Sequence, residues 1–80
     1  MTKAQYRKSQ RQQPIGPEGI AACRRIMTEG YAKVNEVMVD SFSASAIVKV
    51  YDAVSETNRA KMEALTVAKV ADVAFKLINR

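Results

Sequence analysis

Apolar residues recur at helical spacing along most of the chain. Ile20, Cys23, Met27, Tyr31, Val34 and Met38 follow a 3–4 pattern. At about 100° per residue they fall within about 60° of their mean direction. This predicts a long first helix from Pro17 to Val39. Gly16 stands as its N-cap, with Pro17 at the first helical position and Glu18 at the positive end of the dipole. Ile15 and Ile20 stand where a hydrophobic staple would hold that entry. Gly30 interrupts the pattern and costs about 1 kcal/mol relative to alanine. It could divide the helix, but the apolar phase is the same on both sides, so one continuous or kinked helix is expected.

Asp40 to Ser45 is rich in capping residues, and Ser41, Ser43 or Ser45 could start a second helix reaching Val54. Ser45, Lys49 and Asp52 form its narrow polar stripe. The β-branched run Ile47 to Tyr51 could make a strand, but no partner strand is apparent and a lone strand is not stable. Ser55 caps a short third helix, Glu56 to Leu65, with Arg59 and Glu63 paired at i,i+4. Thr66 caps a fourth, Val67 to Ile78, whose polar stripe is Lys69, Asp72 and Lys76.

The fold expected is therefore all-α, a compact bundle of three to four helices with a long first helix as its spine. That helix would measure about 35 Å at 1.5 Å per residue. Residues 14–80 form this single helical domain. Residues 1–13 (MTKAQYRKSQRQQ) hold only Met1 and Tyr6 as large apolar groups. Such a segment buries too little surface to offset its ordering entropy, so it is read as a disordered, flexible basic arm.

Length sharpens this picture. An 80-residue chain makes one domain with a marginal core. Small scaffolds lean on disulfides, a metal or a partner subunit. Cys23 is the sole cysteine and there is no histidine, so an intrachain disulfide and a Cys/His zinc site are both excluded. Oligomerisation remains, and the second and fourth helices are apolar around most of their circumference. A homodimer is expected. A lone thiol suits a reducing compartment, no apolar run approaches a membrane span, and the N-terminus lacks the apolar core of a signal peptide. The expected location is cytoplasmic, with no membrane partner.

The formal net charge is +5. Residues 1–25 hold six cations, Lys3, Arg7, Lys8, Arg11, Arg24 and Arg25, against Glu18 alone, while residues 26–80 carry seven charges of each sign. An imbalance confined to one end points to an anionic partner. Lys and Arg there would neutralise phosphates, with glutamines and Tyr6 adding hydrogen bonds and stacking. These six residues are the candidate nucleic-acid-binding set, towards DNA or RNA.

Other chemistry is sparse. Without histidine there is no Ser–His or Cys–His pair. Cys23 lies on the apolar side of its helix and reads as a small core residue. Glu36 with Asp40, and Asp52 with Glu56, stand at i,i+4, but Lys33 and Lys49 precede them and solvated surface charge is the simpler reading. Glycines 16, 19 and 30 form no phosphate-cradling loop. A helix-turn-helix built from the last two helices would expose only a narrow stripe that includes Asp72. Met27, Met38 and Met62 are expected to fill gaps in the core, or more sharply to line a binding groove. No enzyme, metal or cofactor is expected. Two functions fit: a nucleic-acid-associated accessory or regulatory protein gripping the phosphate backbone, or a protein-interaction module, such as an inhibitor or adaptor, docking an apolar helix face onto a larger protein machine.

Overall fold

The computed structural model describes residues 1–78. It contains five helices and a two-stranded antiparallel sheet. The order is α1 (Lys3–Arg11), α2 (Gly16–Glu29), β1 (Tyr31–Val34), β2 (Val37–Asp40), α3 (Ser41–Ala53), α4 (Glu56–Glu63) and α5 (Val67–Ile78). The expected all-α bundle of three to four helices is corrected in two places, the arm and the long first helix.

The arm is helical rather than disordered. Thr2 and Gln5 form a capping box: Thr2 Oγ1 accepts from the Gln5 amide at 3.1 Å, and Gln5 Oε1 accepts from the Thr2 amide at 2.8 Å. Lys8 and Arg11 in the last turn complement the helix dipole. Alanine, lysine, arginine and glutamine are all good helix formers. These terms are local, and α1 buries no residue.

The first long helix stops at Glu29. Gly30 closes it at φ +105°, a conformation that side-chain-bearing residues rarely adopt. The chain then turns into a hairpin. Asn35 and Glu36 both have positive φ, at 50° and 62°, as a two-residue type I′ turn requires. The register pairs Val34 with Val37 and Ala32 with Val39 on one face. It pairs Tyr31 with Asp40 and Lys33 with Met38 on the other. Val34 and Val39 are buried, whereas Tyr31 and Met38 are exposed. Alternation thus overrides the 3–4 spacing that Tyr31, Val34 and Met38 also satisfy.

The core is organised around α3, which packs against both α2 and α5. Ala44, Ala46, Ile47, Val48 and Val50 are buried on it. They meet Ile20, Cys23 and Ile26 of α2 and Val67, Val70 and Ala74 of α5 within one cluster. Asp40, rather than a serine, caps α3, accepting from the Ser43 amide at 2.7 Å. Ser55 caps α4, and Thr66 Oγ1 accepts from the Lys69 amide at 3.2 Å at the start of α5. Ile15 is buried where its amide donates to the Leu65 carbonyl at 2.7 Å, tying the start of α2 to the α4–α5 turn. Of the three methionines assigned to the core, Met62 is buried, but Met27 and Met38 are exposed.

Candidate nucleic-acid interface

Helix geometry arranges the four cations of α1. Lys3, Arg7 and Arg11 recur at i,i+4, on successive turns about 6 Å apart along the axis. Lys8 flanks Arg11, so the four share an arc of about 140°. All four are exposed. Of the two half-buried residues of the helix, Ser9 points the other way, and Gln10 borders the arc on the Lys3 side. No acid occurs in residues 1–17, and among the described residues none of the four cations forms an ion pair.

The helix projects from the body on polar contacts at one end. Arg11 Nε donates to the Glu36 carbonyl at 3.5 Å. The Asn35 amide nitrogen donates to the Pro14 carbonyl at 3.1 Å and the Gln13 carbonyl at 3.5 Å. The tip of the hairpin therefore holds the base of α1, at the same two residues that make the turn. Sequence reasoning missed Asn35. Its signal was an asparagine between alternating valines, a residue type tolerant of positive φ.

The other two candidate residues lie on α2. Arg25 is exposed and has no ion pair among the described residues. Arg24 forks onto Asp52 of α3, with its two terminal nitrogens at 3.0 and 2.5 Å from the carboxylate oxygens. The bond from Arg24 holds the Asp52 carboxyl below its ordinary range. Arg24 therefore enters as half of a neutral pair, not as an unpaired cation.

Asp52 belongs to a network that closes the C-terminal end of α3. Arg59 Nε donates to the Tyr51 carbonyl at 2.8 Å and its terminal nitrogen to the Asp52 carbonyl at 2.9 Å. These are carbonyls that the helix end leaves without intrahelical partners. The Arg59 guanidinium also lies 5.4 Å from the centroid of the Tyr51 ring. Tyr51 Oη donates to Glu63 at 2.6 Å, and that bond raises the phenol above its ordinary range. The network ties α2, α3 and α4 together.

The remaining sequence candidates take structural places. Asp40 is a helix cap, held below the usual carboxylate range mainly by the Ser43 amide. Glu36 pairs with Lys33 at 3.6 Å. Cys23 is buried, and burial pushes its thiol up. Among the described residues no group of three or more His, Cys, Asp or Glu side chains could hold a metal ion, and no helix is long and apolar enough to cross a membrane. Compared with known proteins, the chain matches no family model, no curated protein and no solved structure.

Proposed function

We propose that this protein is a small non-enzymatic nucleic-acid-associated accessory protein that grips phosphate backbone through α1. One observation carries the reading: four cations without an ion pair among the described residues share one face of a helix that gives no fully buried residue to the core. A helix kept outside the core presents its charge with no ion pair to an acid among the described residues. Ordering in advance also lowers the entropy lost when the cations meet phosphates. Arg25 adds charge on α2, and the Arg24–Asp52 pair adds little. Recognition through phosphates is salt-sensitive and carries no sequence information by itself.

The test is a salt series with a short labelled DNA duplex and a matched RNA duplex, using the full chain. Four phosphate contacts on DNA give a slope of log K against log salt of about −3.6, or roughly a hundredfold loss between 50 and 200 mM salt. Replacing Lys3, Arg7, Lys8 and Arg11 together by glutamine removes that slope and most of the affinity. The ratio of the two affinities assigns DNA or RNA. Absence of binding at low salt, or a slope unchanged by the fourfold replacement, overturns the proposal.

A further inference from the structure

An apolar groove of about 220 Å³ opens between α3, α4 and α5. Val54, Met62, Leu65 and Leu77 wall it, and Asn58 and Lys61 of α4 stand on its edge. Its volume is below the roughly 300–1,000 Å³ of pockets that enclose whole small ligands. It suits side chains inserted from outside. Lys61 is its sole charged lining residue among those described, and it makes no ion pair among them. Asn58 stands at i−3 from Lys61, so two donors share that edge. A groove with apolar walls and a donor edge without an acid selects for an apolar partner face bordered by negative charge. The chain's own arm does not meet that description, because the exposed face of α1 carries cations like Lys61.

We infer that this groove receives an amphipathic helix of a partner protein, with apolar side chains at 3–4 spacing and a carboxylate that pairs with Lys61. Helix-in-groove docking uses i, i+3, i+4 and i+7 anchors in this way. The apolar anchors supply most of the affinity, and the edge pair sets the orientation. This surface is separate from the phosphate-binding role of α1, and a fault in either leaves the other standing.

The experiment titrates the isotope-labelled full chain with two synthetic helical peptides, followed by NMR. Both carry leucines at i, i+4 and i+7. One has glutamates beside them and the other has lysines at the same positions. The glutamate peptide is expected to shift the amides of Val54, Lys61, Leu65 and Leu77 and to bind more tightly than the lysine peptide. Lys61→Glu weakens the glutamate peptide about fivefold and strengthens the lysine peptide, a swap that misfolding cannot produce. Lys61→Gln gives the loss without the swap. Equal binding of the two peptides, no shift at the groove, or indifference to Lys61→Glu overturns the inference. So does a concentration-dependent shift of the same amides without peptide, which would make a second copy the occupant. The DNA salt slope is expected to be the same in Lys61→Gln as in the parent chain, which keeps the two proposals apart.

Discussion

Two helices of this protein are built on opposite principles. α3 has thirteen residues and buries five of them, while α1 has nine and buries none. α3 is a helix because the core needs its apolar faces, and its β-branched run Ile47-Val48 would be a poor helix outside that setting. α1 is a helix because Thr2 and Gln5 cap it and its residues favour the state. An isolated helix of this length is marginal in water. Stability therefore resides in α3 and its neighbours. The helix proposed to bind is the one whose removal from the fold would cost least.

The sharpest way to break this contrast is to damage α3. Ile47 is fully buried, so Ile47→Ala should destabilise by about 2–5 kcal/mol. A chain of this size has a total stability of about 4–12 kcal/mol, so that loss should appear as a large fall in urea midpoint. Equivalent changes on α1, such as Arg7→Gln, should leave the midpoint almost unmoved.

Next in size is the joint between α2 and the hairpin. A Cβ at Gly30 would meet nothing within 4 Å, so crowding is not the obstacle there. The obstacle is φ +105°, and Gly30→Ala should cost about 1–3 kcal/mol in denaturant unfolding. A neutral result would mean that the hairpin can be re-entered through another backbone path.

Asn35 sharpens the comparison by separating the hairpin from the arm. Asn35→Ala loses the bonds to Pro14 and Gln13 and also strains the turn, by about 1–2 kcal/mol. Asn35→Gly accommodates the positive φ and loses only the bonds. Its effect should fall on α1, as faster amide exchange from Lys3 to Arg11, with the global midpoint little changed. Equal damage from both variants would contradict a latch role for the amide.

Smallest is the Arg24–Asp52 pair, half exposed on both sides. The folded Asp52 carboxyl is lowered by the Arg24 bond. Its contribution is therefore fully present above the unfolded value of about 3.9 and is lost as pH falls through the folded value. Thermal unfolding should show Asp52→Asn slightly less stable than the parent at neutral pH, with the gap closing at acid pH.

The same contrast explains what could be read in the sequence. Helices α4 and α5 were legible because Ser55 and Thr66 are caps followed by uninterrupted patterns. The hairpin was hidden because Tyr31, Val34 and Met38 continue the helical phase of α2, and Asn35-Glu36 lacks the Asn-Gly pair that marks such turns most strongly. The order in α1 was hidden because composition speaks to burial, and α1 is held by a capping box instead. Thr2-x-x-Gln5 was its available signal. The cations were legible as a charge run. Their sharing of one face follows only once α1 is read as a helix, and their anchor at Asn35 and the loss of Arg24 to Asp52 depend on contacts more than twenty residues apart in the chain.

The most direct test is amide hydrogen exchange on the full chain, with and without a DNA duplex at low salt. Without DNA, amides from Lys3 to Arg11 should exchange through local opening of a free energy well below the global value, while α3 amides should approach the global unfolding value. DNA should slow exchange in α1 and leave α3 almost unchanged. Protection of α1 equal to that of α3 without DNA would contradict the claim that α1 stands outside the core. Exchange in α1 unaffected by DNA would contradict its role as the binding helix.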